Sequence, residues 1–142
     1  DETEAKIFVG VKLTGGQEEK SLLMDSFKQG GFLATDISDN DTAKLHIRHM
    51  VGGRAKDLAD EEVYRFQFPE RPGALLNFLN HLGERWNISL FHYRNHGSAF
   101  GRVLCGIQVP RSDIEQFKDF LGKLGYPYWP ESKNPVYKIF LR

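Results

Sequence analysis

The chain has 142 residues, of which 40% are hydrophobic and 13% aromatic, enough to bury one core or two small ones. Its 19 lysines and arginines balance 19 aspartates and glutamates, so no field of a single sign is available to gather nucleic acid or an anionic membrane surface. The single cysteine excludes an internal disulfide, no apolar run approaches the roughly 20 residues that span a bilayer, and the acidic start is no signal peptide. A soluble, intracellular protein is expected.

In chain order, Ile7-Phe8-Val9-Gly10-Val11-Lys12-Leu13 reads as a strand centred on a glycine, residues 18–29 as a helix, and residues 32–37 and 45–51 as two further strands. Gly52-Gly53-Arg54 opens a polar stretch, and residues 54–61 read as a linker. Residues 63–68 form the next strand, with Val63 on one face and Tyr64, Phe66 and Phe68 on the other. Pro72 suits a helix entry, and Leu75, Phe78, Leu79 and Leu82 follow at the spacing of one helical face, which Gly83 ends. Residues 88–94 and 102–109 are strands joined by a hairpin-length loop, so they should pair antiparallel. Ser112 and Glu115 have the spacing of a capping box, before a helix whose apolar face is Ile114, Phe117, Leu121 and Leu124 and whose end is Gly125. Residues 126–131 and 136–141 are the last strand candidates.

Three of these segments repeat. The strand at residues 7–13 returns as Val103-Leu104-Cys105-Gly106-Ile107-Gln108-Val109, 96 positions on; Gly31-Phe32 through Asp39-Asn40 returns as Gly125-Tyr126 through Asn134, 94 positions on. Lys44-Leu45-His46-Ile47 likewise answers Lys138-Ile139-Phe140-Leu141. The pattern predicts two related modules: a complete one at 62–142 with strand, helix, strand, strand, helix, strand order, preceded at 1–53 by a truncated copy of the same module. The fold class expected is α+β, a ferredoxin-like βαββαβ layout with helices on one face of an antiparallel sheet. The chain then reads as a piece of a longer protein, and half a module implies self-association through an unpaired strand edge.

Chemistry concentrates in two places. In Phe68-Pro69-Glu70-Arg71-Pro72-Gly73-Ala74-Leu75, the amides of Gly73, Ala74 and Leu75 would open a helix and suit a carboxylate, and Gly73 lets a ligand come close. A tight strand-to-helix turn with nothing bound fits the same residues. In Asn87-Ile88-Ser89-Leu90-Phe91-His92-Tyr93-Arg94, alternation puts Leu90, His92 and Arg94 on one face and Phe91 with Tyr93 on the other. His92 and Arg94 read as an interface or a polar ligand contact, or equally as a hydrogen-bonded pair on an exposed sheet face. No catalytic residue is identified: no nucleophile has an activating neighbour, the histidines lack metal-ligand spacing, and no phosphate loop is present. Sheet aromatics such as Tyr64, Phe66, Phe91 and Tyr93 also occur in RNA-binding domains of this layout, but the neutral charge argues against nucleic acid.

Phe68 to Leu75, the run Trp86-Asn87-Ile88-Ser89-Leu90-Phe91-His92-Tyr93-Arg94-Asn95-His96-Gly97 and Gly101-Arg102-Val103-Leu104 closely resemble the C-terminal ACT-like regulatory region of biosynthetic threonine dehydratase. The similarity extends over nearly the whole chain, including Lys44-Leu45-His46-Ile47-Arg48. The resemblance implies that a pyridoxal phosphate domain converting threonine to 2-oxobutanoate and ammonia precedes this region, and that ACT-like subdomains bind isoleucine as inhibitor and valine as antagonist. It implies effector roles for Tyr93, Leu75 and Leu79, with Gly73 and Ala74 at the head group and Arg94 and Arg48 as further candidates. It also implies a homo-oligomer, a dimer for this fragment and a tetramer for the parent, in the cytoplasm or, for a plant, the plastid. The competing expectation is an ACT-like module that only assembles and binds no ligand.

Overall fold

A computed structural model describes residues 7–46, 58–82, 85–95, 97 and 99–141. In chain order its elements are α1 (Gly16–Gln29), α2 (Asp41–Leu45), β1 (Glu61–Pro69), α3 (Ala74–Leu82), β2 (Asn87–Arg94), β3 (Phe100–Gln108), a 3-10 turn (Arg111–Asp113), α4 (Ile114–Leu124), β4 (Tyr128–Pro130) and α5 (Pro135–Phe140). The four strands form one antiparallel sheet in the order β2-β3-β1-β4. From β1 to β4 this is the expected ferredoxin-like α+β arrangement, with β1 and β3 central and β2 and β4 at the edges.

The register assigns the faces. Phe66 stands opposite Val103 and Tyr128, and Tyr64 opposite Cys105, so these side chains share the side on which α3 and α4 lie. Their rings meet the helices directly: Phe66 and Phe68 each lie 5.1 Å from Phe78, and Tyr64 lies 5.6 Å from Phe117. Trp86, entering β2, stacks edge-on against Phe117 at 5.2 Å and donates its indole N–H to Asp113 at 3.2 Å. A bulge between Ile88 and Leu90 shifts the alternation of β2. Ile88 therefore packs in the helix-side core and Leu90 in the core on the other face.

Two details of the helix side differ from the sequence reading. The core-facing stripe of α3 is Ala74, Phe78 and Leu82; Leu75 and Leu79 stand 36% and 39% exposed beside it. The helix starts at Ala74, two residues later than Pro72, after Gly73 at φ +84, a left-handed conformation that glycine adopts without a Cβ penalty. The expected capping box before α4 is also absent: Ser112 donates its hydroxyl to Asp113 at 2.9 Å, and Asp113 is the N-cap with no side-chain cap bond. Gly125 ends α4 as expected, at φ 72, while Gly83 falls outside the described residues.

The opposite face of the sheet carries a second core of Val63, Leu104 and the partly buried Leu90, covered by Ala43, Val136, Tyr137 and Leu141. Here the expected strand at 136–141 is corrected to helix α5. Asn134 caps it, its side chain accepting the Val136 amide at 2.9 Å, and Pro135 occupies the first turn where no N–H is needed. The buried Val136, Tyr137 and Leu141 then share one helical face.

The expected strands at 7–13 and 32–37 form no ladder. Ile7, Val9 and Val11 are 76%, 64% and 53% exposed and Leu33 is 97% exposed, for an extended segment becomes a strand only where another backbone can pair with it. Residue 45 of the expected strand at 45–51 closes α2, residue 46 is its C-cap, and 47–51 lie outside the described residues. Helix α1 does form where residues 18–29 predicted it. Asn40 caps α2 as Asn134 caps α5, and the two caps bond to each other, Asn40 Nδ2 to Asn134 Oδ1 at 2.8 Å and the reverse at 3.3 Å. Their separation of 94 residues equals the spacing of the sequence repeat.

Candidate functional site

A groove of about 520 Å³ opens where the start of α3 passes over the end of β1 and the edge strand β2. One wall is Leu75, Leu76 and Leu79; the other is Tyr93, and the turn from Pro69 to Ala74 closes the end. Five residues singled out from sequence, Tyr93, Leu75, Leu79, Gly73 and Ala74, thus line one cavity. Leu75 and Leu79 are available to it because α3 spends Ala74, Phe78 and Leu82 on the core.

The turn is held by backbone bonds, Glu70 N–H to Ala99 O at 2.8 Å and Arg71 N–H to Pro69 O at 2.9 Å, which tie the groove's end to the loop before β3. Helix geometry leaves the first amides of α3 without partners inside the helix. Of these, the Ala74 N–H reaches Arg71 O at 3.3 Å; the positive end of the helix favours an anion beside it.

Tyr93 donates its hydroxyl to the Glu70 carboxylate. That bond first, then burial, holds the Tyr93 phenol above its ordinary range, so at neutral pH it is a donor next to a carboxylate. Beneath the pair lies Gly101, where a Cβ would collide with Glu70 Oε1 and stand 2.7 Å from Tyr93 Cε2. Sequence reasoning gave Gly101 no role. A glycine inside a strand is the usual sign of a close approach, and here it is the approach of Tyr93 and Glu70. Leu76, 61% exposed on the same wall, was missed because it lies off the inferred helical face.

Arg94 is not brought to this groove. With Leu90 and His92 it lies on the opposite face of β2, where His92 Nδ1 meets His46 Nδ1 at 2.8 Å. Arg48 lies outside the described residues. Cys105 is buried in the sheet, and burial, with a smaller push from Glu61, raises its thiol to about 12, which removes it as a nucleophile at neutral pH. Among the described residues no cluster of three or more His, Cys, Asp or Glu could hold a metal ion, and no helix is long and apolar enough to cross a membrane.

Fold and groove together define a ferredoxin-like α+β module with a small, mostly apolar cavity at a strand-to-helix turn and no catalytic constellation among its described residues. The family described as the C-terminal regulatory domain of threonine dehydratase matches residues 52–141, and the chain belongs to it. It is 48% identical over 141 residues to the biosynthetic L-threonine dehydratase of Burkholderia multivorans, covering 99% of this chain and 28% of that protein. The corresponding Escherichia coli protein is 48% identical over 141 residues, covering 99% and 27%. The mitochondrial threonine dehydratase of Saccharomyces cerevisiae is 45% identical over 139 residues, covering 98% and 24%. The chain therefore spans about a quarter of the length of these relatives.

Proposed function

We propose that this regulatory domain senses branched-chain amino acids in the groove between α3 and Tyr93. Isoleucine acts there as the end-product inhibitor and valine as its antagonist, on a parent threonine dehydratase whose pyridoxal phosphate domain makes 2-oxobutanoate and ammonia from threonine. The observation that carries this reading is the convergence of Leu75, Leu79, Tyr93 and the Gly73-Ala74 helix start on one cavity. The leucines suit a branched aliphatic side chain, worth about 1.5–3 kcal/mol when fully buried. The α3 start and the Tyr93 hydroxyl suit the carboxylate, with about 0.3–1 kcal/mol from the helix end, and Glu70 offers a carboxylate to the ammonium.

Binding regulates only through different affinities for two states, and a coupling of about 1–3 kcal/mol is usual for allosteric control. The two states in this reading differ in how the domain packs against the rest of the parent, a homo-oligomer taken to be a tetramer. The test is isothermal titration of the 142-residue chain with L-isoleucine and L-valine, with L-lysine as control. Saturable heat from the two branched amino acids alone is expected, and its absence in folded protein would count against a site complete in this chain.

A second reading, a module that assembles without ligand, draws support from the edge position of β2 and from Phe91 and Tyr93, 38% and 40% exposed along it. Sedimentation with and without isoleucine separates the two, since pure assembly predicts a dimer whose weight and affinity ignore the amino acid.

A further inference from the structure

On the far side of the sheet from the groove, α2 and the strands enclose a second cavity of about 360 Å³. Its floor is made by Arg65 and Gln67 of β1 and Arg102 of β3, its edge by Trp129 of β4, and its roof by Asp41 and His46. The amino acids on this floor are an unusual choice for a covered sheet face. Gln67 stands directly opposite Arg102, so an amide and a second guanidinium join Arg65 on this face of the sheet.

The two cavity arginines are in different states. Arg65 is anchored: its Nε bonds Glu131 at 2.6 Å, its guanidinium lies 5.0 Å over the Trp129 ring, and Asp41, 59% exposed at the rim, stands at 3.6 Å. Arg102 is not matched in this way, because its Nη1 is buried and meets no acceptor among the described residues. A buried charged donor without an acceptor is strongly disfavoured. The guanidinium fork is shaped to take two oxygens of a carboxylate or phosphate.

We infer that this cavity is a binding site for a small oxyanion, a carboxylate or a phosphate, with Arg102 as its principal ligand and Arg65 as a flanking charge. The site is separated from the amino-acid groove by the full thickness of the sheet, and its occupant would bridge α2 to the strands. An oxyanion there supplies the acceptor that Arg102 Nη1 lacks among the described residues. It would therefore stabilise the docking of the segment before β1 on the sheet.

The test is thermal unfolding of the 142-residue chain in phosphate, in acetate and in chloride at matched pH and ionic strength. A saturable rise in Tm over chloride is expected, with phosphate for a phosphoryl ligand or with acetate for a carboxylate. Arg102→Gln should abolish the rise and Arg102→Lys, which keeps the charge but loses the fork, should weaken the midpoint concentration at least tenfold. Tyr93→Phe, on the other face, should leave it unchanged. The lysine variant decides the matter if the glutamine variant does not fold. Equal Tm in all three salts, or an undiminished rise in a folded Arg102→Gln or Arg102→Lys protein, would overturn the inference.

Discussion

Replacing Gly101 with alanine tests whether Tyr93 and Glu70 are held where the groove needs them. The added methyl would collide with the Glu70 carboxylate and stand 2.7 Å from Tyr93 Cε2 and 3.0 Å from its hydroxyl oxygen. Ordinary carbon contacts are about 3.5–4.0 Å, so the ring must retreat by roughly 1 Å. Gly101 itself has no positive φ, so the backbone tolerates alanine and the whole effect falls on the two side chains. Because Tyr93 is 40% exposed and can swing outward, the stability cost should lie near the lower end of the roughly 1–3 kcal/mol for overpacking. Isoleucine affinity should fall by at least about tenfold, equivalent to about 1.4 kcal/mol.

Gly106→Ala is the matching control. Its methyl would meet Glu61 Oε1 and Ser89 Oγ at 2.7 Å and Leu90 Cβ at 2.9 Å, in the buried middle of the sheet and away from the groove, so it should cost more stability and leave the affinity of the folded fraction intact. Titration calorimetry gives the affinity and differential scanning calorimetry the stability. A Gly101→Ala protein that bound isoleucine like the parent, with an unchanged Tm, would refute the argument, because either Tyr93 and Glu70 do not pack on Gly101 or they do not serve the site.

Phe78→Ala removes a fully buried ring in contact with Phe66, Phe68 and Phe120 and should cost about 3–5 kcal/mol in urea unfolding; a loss under 1 kcal/mol would show that α3 does not dock as described. Asn134→Ala takes away the cap of α5 together with its bonds to Asn40 and Glu131, and should lower stability by about 1–2 kcal/mol while exposing the amides that follow Asn40 and Asn134 to faster hydrogen exchange. Cys105, with its thiol raised to about 12, should resist a thiol reagent at pH 8 in the native protein and react fully in denaturant; rapid native labelling would contradict its burial. The Asp36 carboxyl is held far below its ordinary value by the Ser38 hydroxyl and amide, then by Lys20. It therefore favours the folded state above the unfolded carboxyl value near 3.8, and that contribution disappears as pH falls through the lower folded value. Carbon-13 detection of the Asp36 carboxyl should find it still ionised at pH 3, and a titration midpoint near 4 would contradict the Ser38 contacts.

Much of residues 61–125 was legible because each element there satisfies itself locally or with a sequence neighbour. The alternation of β1, the hairpin length between β2 and β3, and the apolar spacing of α4 closed by Gly125 are properties of short stretches, and they led to the observed sheet and helices. The groove was legible in part, because Gly73 and Tyr93 announced a turn and a strand, and the resemblance to the dehydratase regulatory region joined them with Leu75 and Leu79.

Periodicity misled where only packing decides. Val136, Lys138 and Phe140 alternate like a strand, yet the Asn134-Pro135 cap and the burial of Val136, Tyr137 and Leu141 against the sheet make them a helix. The segments at 7–13 and 32–37 have strand composition, but strand pairing is a bond between two backbones, and composition does not supply the second one. The tertiary structure alone decided which residues of α3 enter the core and which line the groove, since Ala74, Phe78 and Leu82 are the ones buried and Leu75 and Leu79 are left beside them. It likewise set Arg102 opposite Arg94, because facing across strands depends on register, and register belongs to the assembled sheet rather than to any one strand.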